Sequence, residues 1–296
     1  MEITYDYYRI FYYVAKYKNL THAAEILHSN QPNVTKFMNK LEEQIGCKLI
    51  IRSNKGIQLT PEGEKLFSHV SIAYEQLREA ELELSSDRAM NSGIVRIGAT
   101  ETALHGILLP VLNQFRTQYP GIRLMITNYS TRQAISALKK GAVDFSLAAT
   151  PTDAPMDFQE TTLLNFNELL IAAKDSPYAS LTELTAKEII RQPVVGLGQH
   201  SKTYELYSAL FLEHNLEWQP DIDAATADQI LPMIKAGLGI GFIPELMAEQ
   251  AINQGEVCVI KVSDLTIPRR SLVLIEDKTQ HLNIAANTLK KMLLST

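Results

Sequence analysis

The chain has 296 residues, 46% of them hydrophobic, and its 28 Lys and Arg against 33 Asp and Glu give a formal net charge of −5. That length exceeds what one hydrophobic core usually spans, so two or three folded units are expected, and the acidic balance excludes a protein coated in basic surface. Cys47 and Cys258 stand far apart with no CxxC and no His/Cys metal spacing, so no zinc site or disulfide framework is implied and both read as buried structural thiols. Positive charge is local: residues 29–55 hold Lys36, Lys40, Lys48, Arg52 and Lys55 against Glu42 and Glu43. Met1 to Asp6 lacks a basic segment followed by an apolar run, and no uninterrupted apolar stretch of about 18 residues occurs, so a cytoplasmic protein without a membrane partner is expected.

Residues 5–18 place Tyr8, Phe11, Val14 and Ala15 at helical spacing. Tyr5, Tyr7, Tyr12, Tyr13 and Tyr17 read as helix core and interface, with a stacking platform for single-stranded nucleic acid as the alternative. Two shorter amphipathic patterns follow, Leu20, Ala23, Ala24 and Leu27, then Val34, Phe37, Met38 and Leu41. Ser29 or Asn30 supplies a cap between them, and Pro32 suits the first turn of the second helix. This is the pattern of a helix-turn-helix, with Gln31, Pro32, Asn33, Thr35, Lys36, Asn39 and Lys40 facing outward and Thr21 beside them on the first helix. Gln and Asn can read adenine edges bidentately, while Thr and Lys suit base or phosphate contacts in the major groove. A solvated face on an ordinary helical hairpin is the competing reading. Cys47 to Ile51 and Gly56 to Leu59 read as two strands around the turn Arg52 to Gly56, a wing whose Arg52 and Lys55 are candidates for contacts to DNA backbone or minor groove.

The residues Leu20-Thr21-x-Ala23-Ala24-Glu25-x-Leu27-His28, Gln31-Pro32-x-Val34-Thr35-Lys36, Leu41-Glu42-Glu43-Gln44-Ile45-Gly46, Leu49, Arg52 and Leu59-Thr60-Pro61-Glu62-Gly63 together resemble the N-terminal domain of the LysR-type transcriptional regulators. Asn33, Phe37 and Ile51 depart from the family's usual residues, which concerns base preference and not the fold. The resemblance implies a winged helix-turn-helix over residues 1–60, a linker and dimerisation helix with hinge over 61–90, and an effector-binding domain over 91–296. Its partners would be double-stranded operator DNA, a small-metabolite effector, a second copy of the chain in a homodimer or homotetramer, and RNA polymerase; no cofactor, catalytic residue or metal is implied.

Thr60-Pro61-Glu62 is a good helix start. Leu66, Val70, Ala73, Leu77, Ala80 and Leu84 then alternate at spacings of four and three, an apolar seam that needs another surface, either a partner chain or the winged helix itself. Asp87 to Gly93 reads as a polar hinge. From Ile94 the texture changes to short β-rich runs at Ile94–Ala99, Ile122–Ile126 and Val143–Ala148, separated by helical patterns around 106–118 and 131–140. Such alternation predicts an α/β parallel sheet. It restarts with Glu168–Ala173, Val194–Leu197, a helix over 202–214, Asp221–Ala225, a helix over 227–236 and Ile240–Ile243, so a second α/β lobe is expected. By resemblance the closing strand Ser271–Ile275 and helix 281–294 return to the first lobe. The expected architecture is a winged-helix head on a two-lobed α/β domain of the periplasmic-binding-protein kind, lobe I about 91–161 and 268–296, lobe II about 162–267.

Ligands of open α/β sheets bind beyond the C-terminal strand ends, beside helix N-termini. Thr100, Glu101 and Thr102, Thr127 and Tyr129, Gln199, His200 and Ser201, and Thr226 occupy such positions and suit a small polar, anionic metabolite, although Thr102, Ser201 and Thr226 could each simply cap a helix. Glu101, if it faces the cleft, would favour a ligand that carries an ammonium as well. No GxxxxGK[ST], HExxH, GxSxG or strand-linked GxGxxG occurs, and Gly237 to Gly241 precedes a strand instead of opening a helix. A binding protein or enzyme on the same two-lobed fold is the alternative to a regulator; a solute-binding protein is disfavoured because no signal peptide is seen.

Overall fold

The computed structural model describes residues 3–53, 56–85 and 93–295, in two compact units, Met1–Arg88 and Ala89–Thr296. Lys55, residues 86–92 of the expected hinge and the side chain of Leu84 lie outside what is described.

The first unit runs α1 (Tyr5–Tyr17), α2 (Leu20–Ile26), α3 (Gln31–Ile45), β1 (Ile50–Ser53), β2 (Gly56–Leu59) and α4 (Pro61–Ser85). Both helices of the motif start on an asparagine cap: Asn19 accepts from the N–H groups of Thr21 and His22, and Asn30 from that of Asn33. Ala23 and Ala24 are buried without bulk, and Val34, Met38 and Leu41 join Phe11, Val14, Leu49 and Ile57 in one apolar cluster. Phe37, expected in that stripe, is exposed instead and meets the Tyr7 ring edge-on at 5.3 Å. Tyr5, Tyr12 and Tyr13 of α1 meet Tyr74 of α4: Tyr12 lies 4.4 Å from Tyr74 between ring centroids, and the hydroxyls of Tyr13 and Tyr74 are 2.9 Å apart. Aromatic residues so engaged are an internal interface and leave little for a stacking platform.

The first wing strand begins later than expected, at Ile50, and runs through Arg52 and Ser53. The reason is Glu42. Its buried carboxylate accepts from the backbone N–H of Leu49 at 2.9 Å and of Ile50 at 3.2 Å, and from Lys48 Nζ at 2.7 Å, so Cys47–Leu49 is a loop clamped to α3. Cys47 and Cys258 are both half-buried, short of the full burial expected of them. Thr60 caps α4 by accepting from Gly63 N–H at 3.0 Å, and a methyl group on Gly63 would lie 2.0 Å from the Leu49 carbonyl oxygen, so only glycine permits this approach. The apolar seam of α4 divides. Leu66 and Val70 pack on the winged-helix core, whereas Ala73 is exposed and Leu77 is 51% exposed.

The second unit is two α/β lobes. In lobe I, β3 (Gly93–Ala99) leads into a helical run that is α-helical at α5 (Glu101–Ala103), widens to a π turn at Leu104–Leu108 and resumes as α6 (Leu109–Gln118); β4 (Ile122–Asn128), α7 (Thr131–Lys139), β5 (Phe145–Ala149) and β6 (Phe158–Phe166) follow. Lobe II holds β7 (Glu168–Ala173), β8 (Glu183–Leu184), α8 (Ala186–Ile189), β9 (Val195–Leu197), α9 (Lys202–Leu212), β10 (Ile222–Ala224), α10 (Ile230–Lys235), β11 (Gly241–Pro244), α11 (Glu245–Asn253) and β12 (Val257–Val262). The chain returns to lobe I with β13 (Arg270–Asp277) and α12 (Ile284–Leu294).

The lobe I sheet has the order β4-β3-β5-β13-β6 and is mixed, not wholly parallel as the alternation predicted: β3 is parallel to β4 and β5, but β13 is antiparallel to both of its neighbours. β13 arrives from the other lobe and not through a helix on its own sheet, which frees it from the right-handed parallel crossover. In lobe II the order is β11-β7-β12-β8, and the β10-β9 pair joins it through the Val194–Ile240 bridge. Because β6 stays paired with β13 through Phe166, lobe II begins at about residue 167, five later than the expected 162. Gly237, at φ 76°, ends α10 and leads to β11, so the glycine-rich stretch is a helix-terminating turn.

Burial raises the Glu42 carboxyl, but the hydrogen bonds from Lys48, Leu49 and Ile50 outweigh it and hold the group below its ordinary value. Such a group contributes stability fully above its unfolded pKa of about 4.3 and loses that contribution as pH falls through the lower folded value. Glu42→Ala, which leaves two buried N–H donors unmatched, is expected to destabilise the first unit by about 2–4 kcal/mol at pH 7. Urea titrations followed by circular dichroism should show the wild-type and variant midpoints converging below about pH 4.

Candidate functional site

Two surfaces follow from these elements. On the first unit, α3 begins at Gln31, so Gln31, Pro32, Asn33 and Lys36 sit exposed in its first turns, with Thr35 half-buried and Asn39 and Lys40 exposed one turn on. Thr21, exposed on α2, donates its hydroxyl to Gln31 Oε1 at 3.4 Å, which orients the amide at the helix start. Arg52 Nη2 donates to Asn39 Oδ1 at 3.2 Å, so Asn39 ties the wing to α3. Lys40 Nζ lies 5.9 Å from the centre of the Tyr7 ring. The arrangement presents amides and a hydroxyl at the tip of one helix, flanked by cations on the helix and the wing.

The second surface is a cavity of about 170 Å³ between the lobes. Thr100, Glu101, Thr102, Tyr129, Ser201 and Thr226 line it together, so each of the four expected segments contributes, each where a strand leads into a helical turn. Thr127, Gln199 and His200 do not line it. Thr127 is exposed on β4, the edge strand of its sheet, one residue before the chain reaches the cavity at Asn128, the last residue of that strand; Gln199 and His200 are exposed in the turn before Ser201. Ser201 does cap α9, accepting from Tyr204 N–H at 3.0 Å, and Thr100 caps α5, accepting from Ala103 N–H at 3.4 Å. Each hydroxyl keeps its own hydrogen to donate. Thr226 makes no such cap, and Thr102 is buried.

Charge in the cavity is closely matched. Lys202 pairs with Asp153 of lobe I and, at 2.7 Å, with Glu205 on its own helix; Glu205 in turn pairs with Arg132 of lobe I. Two ion pairs therefore span the lobes at the cavity rim. The hydrogen bonds to Asp153 and Glu205 raise the Lys202 ammonium above its ordinary value, and Lys202 lowers Glu205.

At the floor lies a residue that sequence reasoning missed. Arg270 opens β13, lines the cavity, donates Nε to the Thr150 carbonyl at 2.6 Å and pairs through Nη1 with Glu168, the first residue of β7. Their side chains are 5% and 1% exposed. Burial pushes the Glu168 carboxyl up, and the Arg270 guanidinium opposes that shift. The two residues stand 102 positions apart in sequence, with no local pattern to announce them.

Residues 5–64 match the family described as "Bacterial regulatory helix-turn-helix protein, lysR family", and residues 88–296 match the "LysR substrate binding domain". The chain belongs to the LysR family and is a DNA-binding transcriptional regulator with an effector-binding domain. It is 29% identical over 273 residues to the HTH-type transcriptional regulator CysB of Haemophilus influenzae, covering 88% of this chain and 80% of that one. To the transcriptional activator protein LysR of Escherichia coli it is 26% identical over 259 residues, covering 88% and 82%. Its fold is that of CbnR, a LysR family transcriptional regulator, with a TM-score of 0.71 at 16% identity and 98% of each chain covered. No helix among the described residues is long and apolar enough to cross a membrane.

Removing one partner of a buried ion pair costs about 3–5 kcal/mol, whereas replacing both by apolar residues is often close to neutral. Glu168→Leu and Arg270→Met should each destabilise the second unit by that order, and the double variant by clearly less than either. Chemical denaturation of the four proteins measures the cycle.

Proposed function

We propose that this LysR-type regulator reads operator DNA with the first turns of α3 and is switched by a small polar metabolite that carries an anionic group and binds between the two lobes of the second unit. The observation that supports the reading best is the cavity wall itself, where hydroxyls from both lobes converge at helix starts with their hydrogens free to donate. Gln31, Asn33, Thr35 and Lys36 are the base-reading candidates, and Lys36, Lys40 and Arg52 those for phosphate, with Lys55 as a further wing candidate. The reading makes the protein a cytoplasmic binding protein and not an enzyme, acting on RNA polymerase from its DNA site.

Gln31→Ala or Thr35→Ala should weaken operator binding by about 1–3 kcal/mol while leaving random-sequence DNA binding nearly unchanged. Gel shifts on both DNAs decide it; equal losses on the two would make these residues phosphate contacts. Ser201→Ala and Thr102→Ala should weaken the effector by about 0.5–1.5 kcal/mol per neutral hydrogen bond lost, with ligand-free DNA binding intact.

Self-association is the other half of the reading. Tyr5, Tyr8, Val70, Ala73, Tyr74 and Leu77 line an apolar groove between α1 and α4, and a second copy of the same helix is the partner it suits. Leu77→Glu should then shift the protein toward monomer in analytical ultracentrifugation and weaken binding to an operator with two half-sites. A folded variant that stays dimeric would place pairing in the effector domains, and with it the choice between dimer and tetramer.

A further inference from the structure

We propose that the effector is a free amino acid and that Glu101 is the residue that selects its ammonium group, an inference that rests on the cavity between the lobes being the effector site. The charged side chains lining that cavity are Glu101, Lys202 and Arg270. Both cations are already matched inside the protein, Lys202 by Asp153 and Glu205 and Arg270 by the buried Glu168. Glu101 differs. Its side chain is only 13% exposed, and its one ion-pair neighbour among the described residues is His105, one turn along the same helical run at 3.5 Å and itself 46% exposed. That pair carries opposite charges only when the imidazole is protonated.

From lobe II, Asp228 in the turn Ala227–Gln229 adds a second negative charge near Glu101. Burial and then Asp228 push the Glu101 carboxyl up, and His105 opposes them, so the group is held in an environment that disfavours its own charge. A cation placed in the cavity beside Glu101 offsets both negative charges, directly at Glu101 and at longer range at Asp228, which does not itself line the cavity. An ammonium does so while its three N–H donors reach Glu101 and neighbouring acceptors. The hydroxyl hydrogens of Thr100 and Ser201, at the helix starts, serve a carboxylate on the same small molecule. A ligand that is only an anion would meet Glu101 with no free cation to compensate.

The test is isothermal titration of the full chain with the proteinogenic amino acids and ornithine, each beside the 2-oxo acid and 2-hydroxy acid of the same carbon skeleton where one exists. The expected result is that at least one amino acid binds, that its 2-oxo and 2-hydroxy counterparts bind at least tenfold more weakly, and that Glu101→Gln weakens the amino acid at least tenfold. Asp228→Asn should weaken it by a smaller factor. The proposal is overturned if no amino acid binds, if a 2-oxo or 2-hydroxy acid binds as tightly as its amino acid, or if Glu101→Gln leaves amino-acid affinity unchanged. Ala225→Leu, which fills the cavity, separates this failure from that of the underlying reading. A ligand of either set that the substitution excludes binds in the cavity whatever its charge, whereas a ligand that binds the folded Ala225→Leu protein as well as wild type binds elsewhere and removes the cavity reading with it.

Discussion

The second unit depends on what happens where the chain passes between its lobes. It leaves lobe I at Phe166, enters lobe II at Glu168 with Asn167 alone between the two strands, and comes back at Arg270. Glu168 and Arg270 are the residues that begin β7 and β13, and their buried ion pair fastens one crossing to the other. In so dry a site the pair is held by mutual attraction, and the guanidinium packs over the Phe166 ring at 5.6 Å. A buried pair thus ties the floor of the cavity, while the rims are joined by Arg132 with Glu205 and Lys202 with Asp153, which lie nearer solvent. The pair Arg132–Glu205, the more exposed of the two, is of the kind worth about 0–1 kcal/mol and weakened by salt. A stiff floor under a soft rim is the mechanical condition for a ligand to shift the balance between arrangements, since it must bind one of them better than another.

In the first unit the corresponding constraint is Glu42. Its carboxylate, three hydrogen bonds deep, sets the loop between α3 and the wing, and Arg52, carried on that wing, returns to Asn39 on α3. α3 and the wing are thereby fastened to each other at both ends of the connecting loop and strand. This matters for DNA binding because phosphate contacts from the wing can fix the register of base contacts from the helix only if the two are rigidly related.

Much of this was legible in the residues. The helix-turn-helix, the capped start of α4 and the β-rich runs at Ile94–Ala99 and Glu168–Ala173 follow from apolar periodicity and cap chemistry, which are local. β6 and β12 escaped because their burial alternates only partly and their place is set by β13 and β7, partners remote in sequence. The cavity was legible at helix starts that follow a strand, as at Thr100–Thr102 and Ser201, and misjudged by one residue at Thr127, because β4 reaches it only with its last residue, Asn128. Arg270 and Glu168 escaped for the same reason as β6: a pair of residues 102 positions apart is a tertiary fact. Phe37 shows the reverse error, since helical spacing made it core, whereas it lies at the edge of the α1–α3 contact, exposed and meeting only the edge of the apolar cluster at Tyr7.

Thr100, Glu101, Ser201, Lys202 and Thr226 line the cavity yet belong to none of the buried apolar clusters that hold the lobes together. The walls that meet a ligand and the groups that fold the domain are thus largely separate sets of residues. Wall residues that neither cap a helix nor pair with Glu168, such as Thr226, can be exchanged at little folding cost, so under the proposed reading a descendant of this chain could take a different ligand there while the scaffold stays as it is.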